Sequence, residues 1–159
     1  MKILITGGNN AKALKLMKAF PNHFVLLADY GDVPGFATQQ YAFASLGVLN
    51  KDSIAHILLN FCITESIDSI IPLYPYEAEA LAKSVVLFEE YGIQVLAPNG
   101  ASVSKYLTSD VFSTKHFAVF VGGECIFCSG GEIFVKQADD VNGVFGYNDP
   151  DDDLRLFTI

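Results

Sequence analysis

Five residues of this 159-residue chain combine the right types and spacing for chemistry, and they fall in three short stretches. Gly7-Gly8-Asn9 closes an apolar run, Ile3-Leu4-Ile5-Thr6, and small residues at such a place can turn backbone N–H groups toward an anion where a helix begins. The same residues also suit a tight strand-to-helix turn, because the full G-x-G-x-x-G spacing of a dinucleotide loop is absent. Asp29 ends a second apolar run, Phe24 to Ala28, near the distance at which an acid binds ribose hydroxyls in dinucleotide-binding folds. A nicotinamide-dependent short-chain enzyme would also need a Tyr-x-x-x-Lys pair, and none of the seven tyrosines has a lysine four residues on. Glu77 follows a third apolar run, Ile70 to Leu73, at a predicted helix start. A carboxylate there either faces a crevice at the strand end or simply stabilises the positive end of the helix. No catalytic residue and no metal ligand set emerges. Cys125 and Cys128 form a C-x-x-C, but on a predicted strand, where positions three apart point to opposite faces, so they read as ordinary apolar cysteines.

The elements that must position these residues are legible from periodicity. Ala11 to Phe20 carries helical spacing and stops at Pro21-Asn22. Tyr41 to Ala44 is a weaker strand, and Ile54, Ile57, Leu58 and Phe61 mark a helix ending near Thr64. Asp68 to Leu73 is a buried strand, Tyr74 to Tyr91 a helix with Pro75 in its first turn, and Ile93 to Ala97 a further strand. This β-α alternation predicts an α/β fold, a doubly wound, Rossmann-like parallel sheet over residues 1–110. Two helices, near 101–107 and 110–117, lead into short β segments separated by Gly-Gly turns. The segment 111–159 is therefore expected to be a small antiparallel β-rich appendage, with a helix start in the acidic tail around Asp149 to Leu154.

Composition narrows the partners. The net charge is −8, with six aspartates between Asp139 and Asp153, which disfavours nucleic acid and anionic lipid. No apolar run approaches the roughly 18 residues of a membrane span, Thr6-Gly7-Gly8 interrupts the N-terminal run too early for a signal peptide, and three cysteines suggest no disulfide framework. A cytoplasmic location is expected. A hydrophobic content of 51% and a mean hydropathy of +0.34 point to self-association. The apolar strands between Ala118 and Lys136 are the expected interface of a homodimer, because both of their faces carry large apolar groups.

Several stretches together resemble the ATP-grasp superfamily, particularly its carbamoyl-phosphate-synthase-like members and their N-terminal pre-ATP-grasp domain. Ile3-Leu4-Ile5-Thr6-Gly7-Gly8 is similar to that domain's first strand and loop, and Asp29 with Val33-Pro34-Gly35 to its second strand end. Asp68-Ser69-Ile70-Ile71-Pro72-Leu73 with Glu77 and Leu81-Ala82 resembles the family's D-x-I-I-P … E … L-A segment, and Tyr91 to Pro98 the next strand. The resemblance implies that Gly7, Gly8, Asn9, Asp29 and Glu77 line a substrate crevice and that Lys136, in Ile133-Phe134-Val135-Lys136, touches a nucleotide. It also implies that Asp139 to Gly146 is a remnant of a glycine-rich phosphate flap. Val111 stands where the family has a basic residue, and the second subdomain that would supply the magnesium ligands has no counterpart in this sequence. The expectation is a truncated ATP-grasp-like protein that is not catalytic by itself and acts as a ligand-binding or self-associating module or as one half of a split ligase. ATP and magnesium then enter only with a completing partner chain. The alternative is an ATP-dependent carboxylate–amine ligase completed across subunits.

Overall fold

A computed structural model of the chain describes residues 1–107, 114–131, 140–149 and 153–159. A mixed α/β architecture results, with one five-stranded parallel sheet and a separate four-stranded antiparallel sheet. The parallel sheet contains β1 (Lys2–Thr6), β2 (Phe24–Asp29), β3 (Tyr41–Ser45), β4 (Ser69–Ile71) and β5 (Gln94–Val95), in the order β3-β2-β1-β4-β5. The run Ile3-Leu4-Ile5 is apolar at every position because β1 is central, buried on both faces, with Ile5 opposite Leu27 on one side and Ile71 on the other. The chain leaves β1 toward β2 and β3 in one direction and returns to lay β4 and β5 on the other side, so the strand order reverses between β1 and β4.

Helices cover both faces. Leu4, Leu26, Ile70 and Val95 pack with α2 (Ile54–Thr64) and with Phe88 of α4 (Val85–Glu90), whereas Ile3, Ile5, Val25 and Leu27 pack with Ala13 and Leu16 of α1 (Ala11–Leu16). Asn10 starts α1 by accepting the Lys12 N–H at 2.9 Å. The buried stripe of α2 is Ile54, Leu58, Leu59 and Cys62, with Phe61 packed at its margin. Where one helix is expected between Tyr74 and Tyr91 there are two, α3 (Pro75–Ala82) and α4, parted at Lys83-Ser84.

The antiparallel sheet, order β7-β6-β8-β9, contains β6 (His116–Val121), β7 (Glu124–Cys128), β8 (Gly143–Tyr147) and β9 (Arg155–Leu156). It follows a four-residue helix, α5 (Val103–Tyr106). The boundary between residues 110 and 111 lies outside the described residues, but the sheet beyond it shares a core with the parallel one. Phe117, Val119, Val144 and Phe157 pack in one cluster with Ile5, Leu27, Ile71 and Leu96. The opposite face, with Ala118, Phe120, Phe145 and Tyr147, is covered by Ala78 and Ala82 of α3 and Val103 of α5. Both faces of β6 and β8 are thus closed within the chain, which removes the reason for placing a dimer interface there. Of the other strand residues expected at that interface, Ile126 is exposed, Val121 and Phe127 are half-buried, and Ile133 and Phe134 lie outside the described residues.

Further expectations change. Phe117, assigned to a helix ending, lies in β6; of the helix start expected over Asp149 to Leu154, residues 150–152 lie outside the described residues, and Arg155–Leu156 form β9 beside β8. Gly143 and Gly146, read as flap glycines, belong to a fully buried strand, where Thr114 leaves no room for a Cβ on Gly146. Cys125 and Cys128 do not point to opposite faces. A β-bulge at Val119/Phe120 leaves Cys125 opposite Phe120 and Cys128 opposite Ala118, so the extra residue, Ile126, turns outward and both thiols lie against the same cluster. Cys128 Sγ sits 2.6 Å from the Tyr147 hydroxyl, and burial, followed by the neighbouring Cys128, pushes the Cys125 thiol up.

Candidate functional site

The carboxyl ends of β1, β2 and β4 bring the candidate residues together. Thr6 ends β1, Asp29 ends β2, and Glu77 occupies the first turn of α3 just beyond β4. Pro75 begins that helix, where its missing N–H costs nothing, and the Glu77 carboxylate reaches back to accept the Tyr74 N–H at 3.3 Å. Helix-start stabilisation is therefore part of what Glu77 does, and its other contacts exceed that role.

Glu77 is fully buried. Its Oε1 accepts the Thr6 hydroxyl at 2.5 Å and its Oε2 the Tyr30 hydroxyl at 2.6 Å. The Thr6 oxygen in turn accepts the Leu73 N–H at 2.8 Å, which fixes the direction of its proton toward Glu77. Asp29, only 4% exposed, is held in the same manner. It accepts the Tyr74 hydroxyl at 2.8 Å and the Tyr30 N–H at 2.9 Å on Oδ1, and the Asn9 N–H at 3.1 Å on Oδ2. Among the described residues neither acid is paired with a basic side chain; neutral donors satisfy both. Burial pushes the Glu77 carboxyl up, more than its hydrogen bonds from Thr6, Tyr30 and Tyr74 bring it down. Burial and then the Glu77 charge raise Tyr30, and burial and then the bond to Asp29 raise Tyr74, so both phenols stay protonated donors. Tyr76 stacks on Tyr74 with ring centroids 5.1 Å apart, and burial, followed by the Glu77 and Asp29 charges, pushes its phenol up to about 12. Lys51 Nζ lies 4.8 Å from the centre of its ring.

The glycine loop is engaged with the protein itself. Gly8 N–H donates to Ala28 C=O at 2.9 Å, Asn9 N–H to Asp29, and Asn10 N–H to Gly7 C=O at 2.9 Å. Gly8 is small because a Cβ would lie 2.7 Å from the Leu27 carbonyl carbon, while Gly7 takes a positive φ of 68°. The last residues lie over the loop. Ile159 packs against Gly7 and donates its N–H to Leu73 C=O at 2.8 Å, and Lys12 Nζ donates to Thr158 C=O at 2.8 Å.

Five of the six expected site residues, Gly7, Gly8, Asn9, Asp29 and Glu77, thus lie at the carboxyl edge of the parallel sheet, and Lys136 lies outside the described residues. Thr6, Tyr30, Tyr74 and Tyr76 were not anticipated, although each stands beside a chosen residue at a strand end: Thr6-Gly7, Asp29-Tyr30 and Tyr74-Pro75-Tyr76-Glu77. As arranged, the site holds a loop, a strand end and a helix start in fixed register. The residues present do not fit a phosphate cradle, since three loop amides already have acceptors and two buried acids face the same edge. Asp29 is only 4% exposed and already accepts two hydrogen bonds on Oδ1 and one on Oδ2, which leaves one acceptor site on Oδ2 for a ribose hydroxyl. No family model matches the chain, and no curated protein matches it.

Proposed function

We propose that this chain is a binding module similar to the Rossmann-like pre-ATP-grasp domain of carbamoyl-phosphate-synthase-like ligases, and that it runs no phosphoryl transfer by itself. It works by association, with a second copy or with a partner chain, and ATP and magnesium enter only where such a partner completes a nucleotide site. The observation that carries this reading is the internal engagement of the Gly8, Asn9 and Asn10 amides beside Asp29 and Glu77. Phosphoryl transfer depends on donors and cations left available for the phosphate oxygens, and the three amides of this loop already have protein acceptors, while the nucleotide contact that the resemblance implies, Lys136, lies outside the described residues. The strand order and the collection of Gly7, Asp29 and Glu77 at the carboxyl edge support the family likeness. Calorimetric titration of the purified chain with ATP and magnesium tests it. No saturable heat is expected, and saturable binding in the micromolar range would overturn the reading in favour of a ligase site completed across subunits.

A further inference from the structure

We propose that Cys125 and Cys128 bind one soft monovalent metal ion, of the chemical type of monovalent copper, held between their two thiolates. The proposal goes beyond the reading above and does not depend on it. On a regular strand a spacing of three would send the two side chains to opposite faces, but the β-bulge sets Cys125 opposite Phe120 and Cys128 opposite Ala118. Ala118 and Phe120 are successive residues on one face of β6, so the two thiols are successive on the matching face of β7. Both are free and half-buried. They also sense each other, since Cys128 follows burial as the cause that pushes the Cys125 thiol up.

Strand geometry favours a metal over a disulfide here. Two residues successive on one face of a strand stand about 6.8 Å apart at Cα, the upper end of the range that a disulfide spans. An ion between the sulfurs replaces one S–S bond of about 2.05 Å with two metal–sulfur bonds of about 2.3 Å each, and so bridges that gap without pulling β7 from β6. The ligands select the ion. Two sulfurs set against Ala118, Phe120 and Phe145 suit a soft cation. Zinc takes three or four protein ligands, and among the described residues no three His, Cys, Asp or Glu side chains come together. Monovalent copper accepts two thiolates in a line and needs no third ligand. Binding exchanges two S–H bonds for two copper–sulfur bonds and releases two protons, which leaves one net negative charge on the site. Tyr147 is placed to stabilise that charge. Its hydroxyl lies 2.6 Å from Cys128 Sγ, and a thiolate only accepts, so the phenol becomes the donor. Cys125 gives up its S–H contact to Phe127 C=O at 3.3 Å. Cys62 is fully buried in the α2 cluster and takes no part.

Anaerobic titration of the reduced full chain with monovalent copper, against the chromophoric chelator bicinchoninate, tests this. The chain should withdraw one equivalent of copper and gain a thiolate-to-copper charge-transfer band in the ultraviolet. Cys125→Ser and Cys128→Ser should each abolish both signals with an unchanged circular dichroism spectrum, and Cys62→Ala should keep them. Tyr147→Phe should weaken binding by about tenfold, and an unchanged affinity would strike Tyr147 from the site. A wild-type chain that withdraws no copper overturns the proposal, as does uptake that survives either serine variant. Zinc held as tightly as copper would contradict the two-ligand set. Alkylation of the wild-type chain gives a check free of variants. Copper should protect Cys125 and Cys128 from the reagent, read by peptide mass, and equal labelling with and without copper would contradict the proposal.

Discussion

Glu77 is the residue on which the crevice turns, because it joins the ends of β1 and β2 to the start of α3 through neutral donors alone. A carboxyl whose folded pKa lies above its unfolded one binds its proton more readily in the native state. Its contribution to stability is then complete below the unfolded value of about 4.3 and is lost as pH rises through the folded value. Glu77→Gln keeps the shape and an acceptor for Thr6, so urea denaturation at a series of pH values should show the variant gaining on wild type as pH rises from about 4 to 7. A difference that is flat with pH would mean that the folded and unfolded carboxyl titrate alike. Glu77→Leu leaves the Thr6 and Tyr30 hydroxyls and the Tyr74 N–H without their acceptor and should cost about 1–3 kcal/mol for each group that finds no other partner. At this scale the sequence marks the acids but not their partners. Asp29 and Glu77 stand out as charges at the ends of apolar runs, whereas a tyrosine beside them carries no such contrast until the fold joins Tyr30 to Glu77 and Tyr74 to Asp29.

Elements with a strong period were legible, and those defined by a partner were not. The α2 helix and strands β1, β2 and β4 follow from local apolar spacing, since each buries a face whatever lies across from it. The bulge in β7 depends on its pairing with β6, and β9 is a strand only because β8 lies beside it, so neither has a local signature. The break between α3 and α4 at Lys83-Ser84 is likewise without a Gly or Pro to announce it. Gly8 is a position where local and tertiary demands coincide. Its added Cβ would meet backbone, 2.7 Å from Leu27 C and 2.9 Å from Ala28 N, which cannot move aside as a side chain can. Gly8→Ala should therefore shift the urea midpoint downward by the equivalent of about 1–3 kcal/mol with an unchanged slope. A neutral result would show that the loop between β1 and α1 yields more easily than its close packing implies.

At the scale of the whole molecule the two sheets share one core, because Phe117, Val119 and Val144 pack with Ile5, Leu27 and Ile71. Val119→Ala, at a fully buried position, should lower stability by about 1–3 kcal/mol and leave a single unfolding transition by both circular dichroism and tyrosine fluorescence. Separate transitions would mean that residues 1–107 fold without the antiparallel sheet. Among the described residues no helix is long and apolar enough to cross a membrane. The proposed closure of the Gly8, Asn9 and Asn10 amides to nucleotide phosphates by the protein's own acceptors can be read at those amides directly. In a proton–nitrogen correlation spectrum of the labelled chain, the Gly8, Asn9 and Asn10 signals should stay in place as ATP and magnesium are added to millimolar concentration. Saturable shifts at those three signals would contradict it.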